Sequence, residues 1–417
     1  MRGLFKTLQK EKNMKKYFFL FLVILITLTF IWQGLLFAAP EPKKLVLGHL
    51  NSFSGGTSLY GADSKRAITL AVAEINAKGG ITVAGQRYLI DVVHMDHKNN
   101  PADTVAAYRR LVDSDGIHFI HIMGTVSGKA VMQTNEKDQV LLDIISPTES
   151  LNQTGNKLVL NQVVRPSGYD PPIVREAIKR GLKKVSLIAD DSDFGKEHAE
   201  VIMKTFEKEG GKVLSVDYMK TGSEVDFMPV LTKIKGLNPD CLYLVVYEEP
   251  GIRIAKQARE SGIKSKLLFT EHFKQKTIDS VGVDKLEGSL FTGSYSTFSS
   301  MIVEGIPEKC IKYHERYLKR WPGTYLSSTG IYGYNWVYYI TKAMVLAGTT
   351  TDVFKVRTMS DKAIHEGTGQ LTMDYRGFTK GGRAYGQPSY VMGIDNGKVR
   401  NISGVPYPKE LAEAGEK

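Results

Sequence analysis

The chain has 417 residues, of which 42% are hydrophobic and 24% are charged. This length exceeds what one hydrophobic core usually supports, so two lobes are expected, and the ordinary composition excludes a largely disordered protein. Nearly half of the net charge of +11 comes from residues 1–39, and the remaining basic residues are dispersed. The charge pattern therefore argues against nucleic acid as a partner.

Residues 1–39 have the order of a secretory signal. Six Lys or Arg residues come first, residues 17–37 form an apolar run, and Ala38 and Ala39 follow. We therefore predict an exported protein that is cleaved after Ala38 or Ala39 and whose true start is Met14. The apolar run is also long enough to span a bilayer, so an uncleaved N-terminal membrane anchor stays open as the alternative.

Strand-like and helix-like stretches alternate from Lys43 onward. The first series predicts strands at 45–50, 88–95, 117–123 and 140–145, with helices around 68–75, over 101–112 and from Ser127. The second series predicts strands at 183–190, 212–219, 241–247 and 266–271, with helices at 194–209, 228–235 and 251–261. Regular alternation of this kind indicates an α/β fold with parallel sheets, here in two lobes.

The chain becomes helical after the second series. Helices are predicted at 307–321 and 331–346, and a strand at 389–395 precedes Asn396-Gly397, a dipeptide typical of hairpins. No nucleotide-binding or nucleophile motif is present, so neither a cofactor nor a catalytic residue is predicted.

Two histidine pairs raise the question of a metal site. They are His94 and His97, which flank Asp96, and His118 and His121. Because residues three apart on a strand point to opposite faces, neither pair converges, and we predict histidines at strand ends and on the surface without a bound metal. Cys241 and Cys310 are predicted to be two buried thiols, with one disulfide as the alternative.

Polar side chains follow the predicted strands of both series. They are Ser127, Ser146, Thr148, Ser150, Asp190 to Asp193, Tyr247, Glu248 and Glu271. Ligands of open α/β sheets bind outside the carboxyl ends of the strands, where helix N-termini offer N–H donors. The stretch 122–130, in which a strand breaks at Gly124 before a helix, therefore predicts a site for a carboxylate or another polar group.

Seven stretches carry a family resemblance: 54–81, 91–112, 124–130, 144–150, 190–199, 236–263 and 282–293. "INAKGG" after the first helix and "LNPD" before a strand are the most specific parts. With these stretches the chain resembles, over about residues 43–400, the leucine/isoleucine/valine-binding branch of the type I periplasmic solute-binding proteins of ABC importers. The resemblance implies two doubly wound parallel-sheet lobes joined by a three-strand hinge.

The resemblance also implies an N-terminal lobe of residues 43–165 plus 295–367 and a C-terminal lobe of residues 166–294 plus 368–410. The chain would cross between the lobes near 163–168, 291–299 and 365–372. It implies a periplasmic monomer that binds a small amino acid-like ligand in the cleft and presents it to an ABC permease in the inner membrane.

Ligand-binding residues follow from the matched positions. Ser127 matches the serine that holds the ligand carboxylate at a helix start. Thr148 and Ser150 lie where the family contacts both the carboxylate and the ammonium, and Glu271 matches the acidic residue that pairs with the ammonium. Tyr247 matches an aromatic residue at the neighbouring strand end.

Two further aromatic residues complete the predicted site. Tyr60 and Phe194 fall where the family covers the ligand from opposite lobes. We expect Lys274 and Lys276 to face solvent, so that the ligand itself supplies the positive charge to Glu271. An internal salt bridge from Arg165 or Arg253 is the alternative.

The sequence also departs from the family pattern. Glu149 replaces a small residue, Glu248 and Glu249 add charge near Tyr247, and Thr125 precedes Ser127. These departures leave amides, urea-like molecules and aromatic acids open as ligands. A ligand-binding sensory module without transport, and more weakly an exported enzyme, are the competing functions.

Overall fold

The computed structural model describes residue 10 and residues 13–25, 41–220, 223–293, 307–367 and 373–416. Residues 13–25 are helical and belong to a compact unit that ends at Lys43. No helix within the described ranges is long and apolar enough to cross a membrane. The predicted cleavage site and residues 26–37 of the apolar run lie outside the described residues.

The second unit, Lys44–Lys417, contains both α/β series. The strands of the first series are β1 (Lys43–Asn51), β2 (Ile81–Val83), β3 (Gln86–Asp96), β4 (Phe119–Met123), β5 (Leu141–Ile145) and β6 (Val159–Leu160). Its helices are α1 (Ser58–Ala77), α2 (Pro101–Arg109) and α3 (Thr125–Met132). A wider helical turn, Arg110–Ser114, continues α2, so this helical segment runs past the predicted end at Val112.

The second series begins with α4 (Pro166–Lys179). Its strands are β7 (Lys184–Asp190), β8 (Lys212–Met219), β9 (Cys241–Val245), β10 (Lys266–Phe269) and β11 (Leu290–Gly293). Its remaining helices are α5 (Asp193–Lys208), α6 (Met228–Leu237), α7 (Glu248–Glu260) and α8 (Gln275–Val281).

The last part of the chain adds helices to the first lobe, a separate two-stranded sheet of β12 and β13, and two strands, β14 and β15, to the second sheet. Its helices are α9 (Glu308–Arg320), α10 (Ser328–Ala347), α11 (Val353–Glu366) and α12 (Lys409–Glu413). Its strands are β12 (Gly377–Phe378), β13 (Ala384–Tyr385), β14 (Pro388–Asp395) and β15 (Lys398–Pro406). The predicted hairpin at Asn396-Gly397 joins β14 to β15, which pair antiparallel.

Two sheets organise the lobes. The first lobe holds the strands in the order β2-β3-β1-β4-β5-β6, and the second lobe holds β15-β14-β11-β10-β9-β7-β8. β1, β4, β5 and β6 run parallel, as do β8, β7, β9, β10 and β11. The predicted α/β fold with two doubly wound lobes is therefore confirmed, with antiparallel strands added at the sheet edges.

Helices cover both faces of each sheet, which explains why the central strands are apolar throughout. On one face of the first sheet, Ile68 and Trp336 share a core with Tyr339. On its other face Leu111, Ile122 and Val131 pack together. The second sheet is likewise covered on both faces. Each fully buried aliphatic or aromatic side chain of these cores contributes about 1.5–3 kcal/mol of transfer free energy.

Close packing of α1 against α10 fixes the first lobe beside the cleft. The Asp63 carboxylate accepts hydrogen bonds from the Ser327 N–H (2.8 Å), the Ser327 hydroxyl (2.6 Å) and the Tyr317 hydroxyl. A Cβ added at Gly330 would lie 2.2 Å from the Asp63 carboxylate, so the helices need glycine there. Tyr60, one turn before Asp63, is thereby held at the edge of the cleft.

The chain crosses between the sheets after β6, after β11 and between α11 and β14. Residues 294–306, in the second crossing, lie outside the described residues, as do residues 368–372, which precede β12. The lobe boundaries and hinge positions given above stay a prediction. Phe378 and Ala384 pack in the core of the first lobe, although they follow residue 368.

Candidate functional site

The cleft between the lobes contains two connected chambers. The inner pocket has a volume of about 40 Å³ and the outer chamber about 360 Å³. Thr125, Phe194 and Tyr247 line both, so they form the neck between the chambers. The inner pocket is lined by Met123, Gly124, Thr125, Ile145, Ser146, Pro147, Val163, Phe194, Tyr247, Glu271, His272, Ser328, Thr329 and Tyr332.

The first lobe contributes hydrogen-bond donors at the start of α3. Gly124 ends β4 with φ 101°, a conformation that favours glycine, and as the N-cap it has no side chain to accept from the helix N–H groups. The first N–H groups of a helix have no acceptor within the helix. The Thr125 hydroxyl lies 2.7 Å from both the Ser146 and the Thr148 hydroxyl groups. Helix N–H groups and a hydroxyl cluster thus meet at the inner pocket.

Ser127, the predicted carboxylate ligand, lies away from the pocket lining. Its side chain is fully buried, and its Oγ accepts a hydrogen bond of 3.0 Å from the Thr104 hydroxyl. α3 begins at Thr125, two residues earlier than predicted, so the side chain at the helix start is that of Thr125. Thr125 takes the position at the pocket that the sequence assigned to Ser127.

The polar residues of the loop after β5 lie in two different places. Ser146 lines the inner pocket, and Thr148 supports it from behind through the Thr125 hydroxyl. Ser150 lies elsewhere: it lines a separate surface pocket, and its hydroxyl donates to Glu197 over 3.4 Å. The structure therefore brings Thr148 near the pocket and leaves Ser150 outside it.

The aromatic residues predicted from both lobes come together. The ring of Phe194 stacks on that of Tyr247 with centroids 5.3 Å apart, and Tyr60 lies 6.3 Å from Tyr247. His272 contacts all three rings, at centroid distances of 5.6 Å from Tyr60, 5.3 Å from Phe194 and 4.8 Å from Tyr247. The sequence analysis missed His272, although it directly follows the predicted Glu271.

Glu271 is the buried anion of the inner pocket. Its side chain is 6% exposed, and within the described part of the chain its Oε2 has no hydrogen-bond partner. Oε1 lies 3.6 Å from His272 Nε2. Burial raises the pKa of the Glu271 carboxyl, because desolvation disfavours the charged form.

The expectation that Lys274 faces solvent is wrong. Lys274 is 1% exposed and donates to the backbone carbonyl of Glu271. Burial lowers its pKa to about 8. Lys276 pairs with Glu249, and Arg165 pairs with Glu149 over 3.2 Å. Glu271 thus has a cation nearby within its own loop, a contact that the spacing of three residues could have indicated.

The loop after β5 is anchored from behind. Arg383, fully buried, donates to the carbonyls of Ser146 (3.1 Å), Val163 (2.8 Å) and Thr148 (2.7 Å). These bonds tie the pocket wall to the first crossing between the lobes. No sequence motif marked Arg383, because it comes from a distant part of the chain.

The outer chamber is polar and carries both signs of charge. Lys98 and Asn99 approach from the first lobe, and Asp190, Asp193 and Arg253 from the second. At its edge Lys129 and Asp193 form an exposed ion pair of 2.6 Å between the lobes. Such exposed pairs contribute little energy, so this contact is compatible with repeated opening and closing.

His97 and His121 are buried, which corrects their prediction as surface residues, whereas His94 and His118 are half-buried. His49 Nδ1 lies 2.8 Å from His94 Nδ1, and the ring centroids of His49 and His121 are 5.6 Å apart. His121 is fully buried and bonds to Asp143 over 2.7 Å, and His97 is 1% exposed. Among the described residues no three His, Cys, Asp or Glu side chains converge to hold a metal ion.

The cysteines lie apart from this chemistry. Cys241 in β9 and Cys310 in α9 are both buried and form no disulfide with each other. The predicted pair of buried thiols is therefore confirmed.

Comparisons with known proteins agree with this architecture. The family model described as periplasmic binding protein matches residues 44–398. The Leu/Ile/Val-binding protein BraC3 of Rhizobium johnstonii is 26% identical over 266 residues, which cover 63% of this chain and 70% of the relative.

Solved structures share the fold. LivJ from Streptococcus pneumoniae, in complex with isoleucine, superposes with a TM-score of 0.71 and 23% identity, covering 88% of this chain and 100% of the other. A solute-binding protein of an ABC transporter from R. palustris, in complex with benzoate, has a TM-score of 0.74 at 15% identity, covering 88% of this chain and 98% of the other.

Proposed function

The chain belongs to the periplasmic binding protein family, and we propose that it is the extracytoplasmic substrate-binding receptor of an ABC importer for an α-amino acid or a close relative. One observation carries this proposal. The buried Glu271 and the first residues of α3, Gly124 and Thr125, line the same inner pocket, and no side chain caps the N–H groups of this helix start. An acceptor opposite a set of donors is complementary to the ammonium and carboxylate groups of a zwitterion.

The rest of the inner pocket supports an apolar ligand side chain. Met123, Ile145 and Val163 contribute aliphatic surface, and the rings of Phe194 and Tyr332 face them. Burying an apolar ligand group there is favourable by about 25 cal/mol for each Å² removed from water. Leucine, isoleucine and valine are therefore the first ligands to test, because the relative BraC3 is named a Leu/Ile/Val-binding protein.

The residues that depart from the family pattern differ in what they contact. The Glu149 carboxylate binds Arg165 and the Ser167 N–H, which supports a structural role for it away from the ligand. The Glu248 carboxylate accepts a hydrogen bond of 3.4 Å from Thr277 of its own lobe, and its backbone N–H donates across the cleft to the Tyr60 hydroxyl. His272 and the neighbouring rings keep aromatic acids open as a second ligand class, because flat ligands stack well on such rings.

Transport follows from closure of the lobes around the ligand. A ligand that contacts both lobes stabilises the closed form, which a membrane permease can then recognise. We propose that the protein acts as a monomer with such a permease, that it has no enzymatic activity, and that it works in the periplasm, free or on an N-terminal anchor. A sensory module would use the same cleft, and neighbouring permease and ATPase genes would favour transport over sensing.

The test begins with protein purified under native conditions. Mass spectrometry of the solute released on unfolding should identify an amino acid or a close analogue. Calorimetric titration with leucine, isoleucine, valine, their deaminated acids, benzoate and simple amides then ranks the classes. Preference for an amino acid supports the proposal, and preference for benzoate or an amide contradicts it. Conversion of the bound solute would identify an enzyme instead.

A further inference from the structure

A buried ion pair lies behind the inner pocket in the second lobe. His198 of α5 and Asp170 of α4 are both fully buried, and His198 Nδ1 lies 2.7 Å from Asp170 Oδ2. The Tyr243 hydroxyl of β9 donates to the other Asp170 oxygen over 3.1 Å. The carboxylate is therefore well satisfied, and the orientation of the imidazole is fixed.

The opposite nitrogen of His198 is directed away from this pair. Within the described residues, neither His198 Nε2 nor Glu271 Oε2 has a hydrogen-bond partner, although both atoms are buried. His198 and Glu271 are close enough to interact electrostatically. His198 also packs edge-on against Phe194, with centroids 4.8 Å apart, so it touches the pocket wall without lining the pocket.

Buried ion pairs are costly to desolvate and often could be replaced by apolar residues without loss of stability. We propose that the Asp170–His198 pair is a charge-setting device, in which a protonated His198, packed against the Phe194 wall of the pocket that Glu271 lines, keeps the Glu271 carboxylate ionised. His198 is thus a positioning and specificity-determining residue, which acts on the ligand through Glu271.

The electrostatics of both groups agree with this assignment. Although burial alone disfavours the imidazolium, Asp170 and then Glu271 raise the pKa of His198 to about 9. Burial raises the pKa of Glu271, and His198 is the strongest of the charges that oppose this rise. Near neutral pH His198 therefore carries its proton, and its charge opposes the rise that burial causes in the pKa of Glu271.

Other titratable groups on neighbouring elements interact electrostatically with Glu271. Lys274 and His272 belong to its own loop, and the remaining ones are Asp170, Tyr169, Tyr243, Tyr247, Tyr60 and Tyr332. The tyrosines stay neutral because burial raises the pKa of each. Lys274 is the second cation, but its ammonium group bonds to the backbone carbonyl of Glu271.

The consequence for binding rests on the proposed function. If an ammonium group binds at Glu271, losing the His198 charge lets Glu271 take up a proton and removes the charge-assisted part of that interaction. Affinity for L-leucine should then fall by roughly tenfold at neutral pH and recover as the pH rises and Glu271 ionises. Affinity for the deaminated acid, 4-methylpentanoate, should not fall.

The charge states can be measured without any ligand. Imidazole nitrogen NMR of the wild-type protein at neutral pH should show His198 protonated on both nitrogens. Carboxyl ¹³C NMR, assigned with Glu271→Gln, should show Glu271 ionised in the wild type and protonated in His198→Gln. A neutral His198 in the wild type, or an ionised Glu271 in His198→Gln, would overturn the proposal.

His118→Gln, in the first lobe, is the matched control and should leave the Glu271 signal unchanged. If His198→Gln does not fold, a wild-type His198 that is neutral or a wild-type Glu271 that is protonated at neutral pH still overturns the proposal. Calorimetry with L-leucine is a separate experiment. If the carboxyl shifts change as predicted but leucine does not bind, the charge-setting pair is supported and the amino acid proposal is contradicted. If leucine binds but the carboxyl shifts are unchanged, the amino acid proposal is supported and the charge-setting pair is contradicted.

Discussion

The phenol oxygen of Tyr60 accepts a hydrogen bond of 3.1 Å from the backbone N–H of Glu248, which belongs to the opposite lobe. Tyr60 lies on α1 and Glu248 is the first residue of α7, so the bond joins two helices across the cleft. The same hydroxyl lies 3.3 Å from His272 Nδ1. Tyr60 therefore links lobe closure to the ring that sits beside Glu271.

Tyr60→Phe keeps the ring and removes this link. We expect the affinity for the preferred amino acid to fall by about fivefold, the value of one ordinary hydrogen bond, because the closed form loses a contact that the open form does not make. Calorimetric titration measures the change. Tyr218→Phe, on an exposed side chain of β8, is the control. Equal affinity for all three proteins would show that this bond does not contribute to closure.

Thr125 and Ser127 provide a matched pair of substitutions on α3. Thr125→Val removes a hydroxyl at the inner pocket and should weaken binding by roughly tenfold, whereas Ser127→Ala should leave affinity nearly unchanged. Ser127→Ala should instead lower stability by about 1 kcal/mol, because its hydroxyl is buried against Thr104. Titration and thermal unfolding separate the two effects. The opposite ranking of affinities would restore Ser127 as the carboxylate ligand.

Thr125 and Ser127 also illustrate how much of the structure could be predicted from the sequence. Alternating apolar and amphipathic stretches and the family resemblance predicted both lobes, because each buried parallel strand needs a continuous apolar run. The ligand contacts stay a prediction, and because α3 starts two residues earlier than predicted, Thr125 rather than Ser127 is among the residues that line the inner pocket. Arg383 and His198 could not be predicted, because their partners lie far away along the chain.

Arg383 should be important for stability. Arg383→Met would remove the guanidinium donor from the buried carbonyls of Val163 and Thr148, and it would leave that of Ser146 with its bond from Asn161 only. We therefore expect the free energy of unfolding to fall by about 3–5 kcal/mol. Chemical denaturation measures this loss. Arg376→Met, at an exposed side chain seven residues earlier, should change stability little. Similar losses in both variants would contradict a special role for the buried guanidinium.

The buried histidines of the first lobe should make the protein sensitive to acid. Burial lowers the pKa of His94 from 6.5 to about 4, and burial lowers that of His49 well below its usual value. The unfolded chain therefore binds more protons in this range, so stability should be complete above about pH 6.5 and decline as the pH falls towards 4.

His94→Gln removes one of these titrations. Its unfolding free energy should decline less steeply than that of the wild type between pH 6.5 and 4, as measured by denaturation at a series of pH values. His118→Gln is the control and should follow the wild-type slope. Parallel curves for all three proteins would mean that the His49–His94 contact does not set the acid response.

The central claim is that Glu271 recognises the ammonium group of an amino acid. Calorimetric titration of the wild type and of Glu271→Gln with L-leucine and 4-methylpentanoate tests it most directly. We predict that the wild type prefers L-leucine, and that Glu271→Gln loses roughly tenfold to a hundredfold in affinity for L-leucine while keeping or gaining affinity for the deaminated acid. A wild type that prefers the plain acid, or equal leucine affinity in both proteins, would contradict the claim.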